Sequence, residues 1–177
     1  MTEKSFFAGF GGQGIISLSQ IWVYCAMQEG KNVTCFPFYG AEKRGGIAQA
    51  SVIVSDGEIA SPLVTVPDSV LVMNPGSLPL GERMLKPGGL MLINASLVKE
   101  APQRGDIRVV RIEAQHKAEQ LGNSRVANMV ALGALAKLTG ALGLTNLESI
   151  LQTFFPIDKH RFIPLNVDAI RMGYAAV

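Results

Sequence analysis

The chain has 177 residues, of which 48% are hydrophobic and 17% charged, with 16 Lys and Arg against 14 Asp and Glu for a formal net charge of +2. That length suits one domain with a core that needs no disulfide or metal staple. The near-neutral balance excludes a broad basic field for nucleic acid and any pull towards anionic membranes.

The charged share lies below the roughly 25% usual for soluble domains, which points to a subunit with part of its outside turned away from water. Two cysteines, Cys25 and Cys35, are too few for a four-thiolate cluster or zinc site and do not form a Cys-x-x-Cys pair. The first residues, Met1 to Ser5, lack the basic patch and apolar core of a signal peptide, and no apolar run reaches the roughly 18 residues that span a bilayer. The expectation is a cytoplasmic protein with reduced thiols, no membrane contact and no nucleic-acid partner.

No repeat or linker divides the sequence, so residues 1–177 are read as a single domain. Ser5 to Ala8 is a short apolar strand entering Gly9-Phe10-Gly11-Gly12-Gln13-Gly14, and Ile15 to Glu29 carries helical periodicity until Gly30. Lys31 to Phe38 is β-branched and aromatic, as a second strand would be, and leads into the polar, glycine-rich stretch Tyr39 to Gly46. Ile47 to Val54 alternates as a strand; Asp56-Gly57 signals a turn, with a short return strand beginning at Ile59 to make an antiparallel hairpin.

Ser69 to Met73 and Leu90 to Ile93 are continuous apolar runs of the kind found in central parallel strands. Between them lie a short helix, Ser77 to Leu85, and the turn Lys86 to Gly89. Ile107 to Ile112 is a further strand and Ala114 to Leu121 a helix closed by Gly122-Asn123. Ser124 is placed to cap a helix from Arg125 to Leu138, Thr145 and Glu148 form a capping-box pattern ahead of Leu147 to Phe155, and Pro164 opens a last helix. The fold class is α/β: a doubly wound, mostly parallel, Rossmann-like sheet with an antiparallel hairpin added.

Gly9, Gly11 and Gly14 satisfy G-x-G-x-x-G between a strand and a helix, and Gly12 and Gln13 complete the loop. Without Cβ atoms the chain can turn tightly and bring helix N-terminal amides to an anion, with the Gln13 amide at the same mouth. The alternative is a tight turn packed on a neighbouring chain. A NAD site needs an acid about 20 residues further on, and Thr34 to Tyr39 supplies none. In Tyr39 to Gly46, Lys43 and Arg44 stand between Gly40 and the pair Gly45-Gly46, and Arg44 can clamp a phosphate or carboxylate with two parallel hydrogen bonds. A solvated turn in which Glu42 pairs with Lys43 or Arg44 explains the same residues.

At the expected carboxyl ends of strands stand Asn74, Asn94 and Ser96, each a ligand group or an ordinary cap. His116 and His160 have no acid or nucleophile at a diagnostic spacing, and there is no Walker lysine, no Gly-x-Ser-x-Gly and no His pair for a metal. Met73, Met84, Met91 and Met129 read as core. The residues define an anion-binding or partner-binding α/β domain, with no catalytic or metal-ligating residue assigned.

Four motifs in order carry a resemblance: Gly9 to Gly14, Tyr39 to Gly46, Ser51-Val52-Ile53-Val54-Ser55-Asp56, and Gly122-Asn123-Ser124-Arg125-Val126-Ala127-Asn128-Met129-Val130-Ala131-Leu132-Gly133. Over about Phe6 to Phe155 the chain resembles the gamma subunit of the 2-oxoacid:ferredoxin oxidoreductases. The resemblance implies an enzyme that oxidatively decarboxylates a 2-oxoacid, passes the acyl group to coenzyme A and reduces ferredoxin. Thiamine diphosphate then lies between alpha and beta subunits, and iron–sulfur clusters lie in the beta and ferredoxin-like delta subunits.

This chain would cover the active site and help bind coenzyme A, without catalytic machinery of its own. Tyr39 to Gly46 followed by Ser51 to Asp56 is similar to the 2-oxoglutarate and branched-chain 2-oxoacid types. It departs from the commoner pattern at Ala41, where Pro is frequent, and at Lys43. A nucleotide-binding Rossmann-like enzyme and a pure assembly subunit are the other readings.

Overall fold

The computed structural model describes residues 1–40 and 46–177. Six strands form one sheet: β1 (Thr2–Phe10), β2 (Asn32–Tyr39), β3 (Ile47–Ser55), β4 (Ser69–Val72), β5 (Leu90–Asn94) and β6 (Arg108–Ile112), in the order β2-β3-β1-β4-β5-β6. The helices are α1 (Ile15–Gln28), α2 (Leu78–Met84), α3 (Ala114–Gln120), α4 (Ala127–Thr139), α5 (Leu147–Phe154) and α6 (Ile163–Ala175). β1, β4, β5 and β6 run parallel, whereas β3 is antiparallel to both β1 and β2.

The hairpin lies earlier in the chain than its turn signal placed it. β2 and β3 form it, paired from Asn32↔Ser55 to Tyr39↔Ala48, and Gly40 N donates to Ile47 O at 2.8 Å where the ladder ends. Asp56-Gly57 is only a bend, and Ile59 starts no strand. The polar groups of that bend are taken up at strand ends: Asp56 holds the Met1 ammonium at 2.6 Å, Gly57 O accepts from Asn32 Nδ2 at 3.0 Å, and Gly57 N donates to Ser55 Oγ at 3.2 Å. Pro62 and Pro67 further along lack the N–H groups that a return strand would donate.

Side chains alternate across the sheet. Phe7, Leu71, Met73, Leu92 and the even-numbered residues Ala48 to Val54 join the larger core with α1, α3, α4, α5 and α6; Phe6, Ala8, Val70, Val72, Met91 and Ile93 join a smaller one under α2. In α1, Ile15, Leu18, Ser19, Ile21, Trp22, Cys25 and Ala26 are buried, a one-face helical pattern, and Trp22 meets Phe7 edge to face at 5.8 Å. Helices α4 and α6 cross backbone to backbone. A Cβ at Gly133 would fall 1.9 Å from Ile170 O and one at Gly173 1.8 Å from Val130 O.

Two caps differ from expectation. Asn123, not Ser124, caps its helix: its Oδ1 accepts from Arg125 N at 3.0 Å ahead of a 3₁₀ turn, Ser124–Val126. Before α5 the cap is Asn146, in the left-handed region at φ 56, with no side-chain bond to the helix. A capping box needs an extended cap residue, so Thr145 and Glu148 do not make one. Pro164 does stand in the first turn of α6.

Candidate functional site

The carboxyl end of β1 runs through the glycine loop into α1. Gly12 takes φ 97 and Gly14, the N-cap of α1, φ 72, conformations that L side chains seldom adopt. The loop is tied on three sides. Gly11 N donates to Gly46 O at 2.7 Å, Gln13 N to Phe10 O at 3.1 Å, and Asn128 Nδ2 of α4 to Gly14 O at 3.1 Å.

The first bond of α1 runs from Leu18 N to Gly14 O, so the amides of Ile15, Ile16 and Ser17 precede the ladder, with no side-chain cap and no acidic residue in that turn. They border a cavity of about 230 Å³ lined by Phe10, Gly11, Gly12, Gly14, Tyr39 and Ala48 among others. Across Gly12 lies a second cavity, of about 180 Å³, walled by Gln13, Met73, Gln115, Ser124, Arg125 and Asn128. Gly12 is the lip that the two share, and a Cβ there would meet nothing within 4 Å. Arg125 is exposed and forms no ion pair among the described residues. The start of α1 thus presents backbone N–H groups and the positive end of a helix dipole to one cavity, and the Arg125 guanidinium stands at the other.

The other residues singled out from the sequence fare differently. Gln13 is spent on structure: its Oε1 accepts from Phe10 N at 2.8 Å and from Asn74 Nδ2 at 3.1 Å, and its Nε2 donates to Met73 O at 3.1 Å. Gly9 serves that arrangement, since a Cβ there would lie 2.7 Å from Gln13 Oε1. Asn74 Oδ1 accepts from Ser77 N at 3.0 Å, which makes Asn74 a cap, and Ser96 Oγ accepts from His116 N at 3.3 Å. Asn94 is fully buried, and neither atom of its amide has a partner among the described residues. Gly46 is the acceptor for Gly11; Lys43, Arg44 and Gly45 lie outside the described residues.

Sequence reasoning did not single out Arg125, Asn128, Gln115 or Tyr39. Tyr39, Arg125 and Asn128 gave no signal beyond membership of the quoted motifs and Gln115 gave none, because 114 positions separate Asn128 from the carbonyl it holds.

Among the described residues, neither cavity is lined by a carboxylate, an imidazole or a thiol. Both thiols belong to the core around α1: burial, helped by the Glu29 carboxylate, pushes Cys25 up to about 12, and burial raises Cys35, whose Sγ–H donates to Ser19 Oγ at 3.7 Å. No three His, Cys, Asp or Glu side chains converge as metal ligands among the described residues, and no described helix is long and apolar enough to cross a membrane. Fold and site thus define a class: an α/β domain with an anion-type mouth at the end of β1, whose described lining offers backbone N–H groups, hydroxyls and a guanidinium.

Comparison with known proteins makes the class specific. Residues 4–176 match the family described as pyruvate ferredoxin/flavodoxin oxidoreductase, and the chain belongs to that family. It is 33% identical over 172 residues to ketoisovalerate oxidoreductase subunit VorA of Methanothermobacter thermautotrophicus, covering 94% of this chain and 34% of VorA. The chain therefore spans about a third of the length of that relative. Relatives named as subunits of pyruvate synthase and 2-oxoglutarate synthase match at 31% and 33% identity.

Among solved structures, the gamma subunit of a keto/oxoacid ferredoxin oxidoreductase from Geobacter sulfurreducens superposes with a TM-score of 0.82 at 30% identity, covering 98% of this chain and 96% of that one. The 2-oxoglutarate:ferredoxin oxidoreductase of Magnetococcus marinus, solved with 2-oxoglutarate, coenzyme A and succinyl-CoA bound, superposes with a TM-score of 0.85 at 25% identity, covering 98% of this chain and 30% of its own. This is a gamma-type member of the family in sequence and in fold.

Proposed function

We propose that the chain serves as the gamma subunit of a cytoplasmic, thiamine-diphosphate-dependent 2-oxoacid:ferredoxin oxidoreductase, covering the active site and holding the phosphates of coenzyme A. The reaction converts a 2-oxoacid and coenzyme A to acyl-CoA and CO2, with two electrons passing to ferredoxin. The observation that carries this reading is the uncapped start of α1, open to a cavity of about 230 Å³ that shares Gly12 in its lining with the cavity that Arg125 walls. A polyanion is the ligand that such donors select.

Thiamine diphosphate and iron–sulfur clusters belong in this reading to alpha, beta and ferredoxin-like delta partners. Two cysteines held in the core around α1 offer no cluster ligands. The form of Tyr39 to Gly46 and Ser51 to Asp56 favours 2-oxoglutarate or 2-oxoisovalerate as substrate. In this reading Lys43, Arg44 and Gly45 are further ligands of the phosphates, as the sequence motif suggests.

Reconstitution tests the proposal. The purified chain alone, given either 2-oxoacid, coenzyme A and a viologen dye, should reduce no dye, and the assembled enzyme should. In that assembly Arg125→Ala should raise KM for coenzyme A about tenfold, about 1.4 kcal/mol, with KM for the 2-oxoacid unchanged. Arg44→Ala should act in the same direction. An intact complex in which neither substitution changes the coenzyme A dependence would leave the chain as an assembly subunit.

A further inference from the structure

One region of the sheet is covered by no helix among the described residues. On the side of β2, β3 and β1 away from α1, alternation turns Phe36 and Phe38 (54% and 58% exposed), Ile47 and Phe10 outwards, and Leu63 (62%) stands beside Phe36 and Phe38 from the irregular segment that follows β3. A groove of about 290 Å³ runs between β2 and that segment, and no charged residue among the described ones lines it. Isolated exposed apolar side chains are ordinary; five on one face are the mark of an interface.

We infer that this face is the seat of a larger subunit, the chain equivalent to the two-thirds of VorA that this one does not match. The inference rests on the gamma-subunit reading above and adds to it the surface and the partner. Three observations select that occupant. In VorA and in the Magnetococcus marinus chain, the matched region is 34% and 30% of one polypeptide, so there a domain like this one is permanently joined to a larger remainder. Permanent interfaces are apolar, and the described lining of the groove, with Phe6, Phe36, Phe38 and Leu63, is of that kind.

The patch is also continuous with the mouth. Phe10 pairs with Ile47 at one end of the β1–β3 ladder and lines the cavity at the start of α1. A subunit seated on Phe36, Phe38 and Leu63 reaches the rim of that cavity, so the same contact that holds the complex also walls the ligand.

The test co-expresses the chain with a polypeptide that matches the remainder of VorA, the pair being sized by light scattering and titrated by calorimetry. The wild-type pair should form, and Phe36→Glu with Phe38→Glu should weaken it at least tenfold while circular dichroism of the chain is unchanged. Ile157→Glu, at an exposed position outside the patch, should leave it intact.

Hydrogen exchange on the wild-type pair gives a reading that needs no substitution: residues 34–39 and 61–66 should gain protection in the complex. A pair that forms normally with the double variant, or forms without that protection, overturns the assignment of this face and leaves the functional reading standing. A wild-type chain that ignores the larger subunit overturns both. Self-association abolished by the double variant, with the larger subunit still bound, gives the face to a second copy and also overturns the assignment.

Discussion

The two halves of the sheet are built to opposite ends. In β4 and β5 every residue is buried, with α4 on one face and α2 on the other. In β2, Val33 and Cys35 pack towards α1, whereas Phe36 and Phe38 are left outside. Apolar content is similar in the two halves; what differs is whether the chain itself supplies both covers. A parallel strand reached by a crossover brings a helix with it, but a hairpin strand brings only a turn. The antiparallel half of this molecule is finished on one side only, and the unfinished side is where a partner fits.

Truncation separates the halves most sharply. Leu92→Ala, in the sealed half, should cost about 2–5 kcal/mol, read as a lowered urea midpoint, since a buried leucine leaves a cavity behind. Phe38→Ala should change the stability of the isolated chain by no more than about 1 kcal/mol in the same assay, because most of that ring is already in water. Equal losses at both positions would erase the distinction.

A smaller effect limits the openness of β2 to its outer face. With its pKa near 12, Cys25 holds a thiolate fraction of about 10⁻⁴ at pH 8, so iodoacetamide should leave it unmodified in the folded chain. Cys35, raised by burial on the inner face of this edge strand, should also react more slowly than a free thiol. Because unfolding restores an ordinary thiol pKa, these groups favour the folded state less as pH climbs past about 8.5. Labelling should accelerate over the same range, and rapid modification of Cys35 at pH 8 would show that β2 opens on both sides.

How far the sequence foretold this depends on the range over which each signal acts. The change from strand to helical periodicity at Gly14, and the unbroken apolar runs of β4 and β5, are written within a few residues, and the elements stand there with small shifts of boundary. The hairpin was misplaced because Asp56-Gly57 is a strong local turn signal, whereas the true pairing, Asn32 with Ser55, is decided by register across the whole of β2 and β3.

The site divides in the same way. The glycine mouth could be read from spacing alone. Gln13 looked like a ligand group because nothing near it in sequence told that Asn74 and Met73, about 60 positions on, would take its amide. Arg125 and Asn128 lie further still and come to the mouth only through the packing of α4.

The backbone contact between α4 and α6 has a consequence for binding. With Gly133 and Gly173 pressed on carbonyls of the facing helix, α4 has no room to slide or roll, and Asn128 near its start grips the carbonyl of Gly14. The wall of the mouth is thereby preorganised: the donors of α1 and the backbone that carries Arg125 are fixed before any anion arrives, so binding need not order them. Only the exposed Arg125 side chain stands outside that framework, and replacing either glycine by alanine should slacken the mouth from the far side of the helix pair.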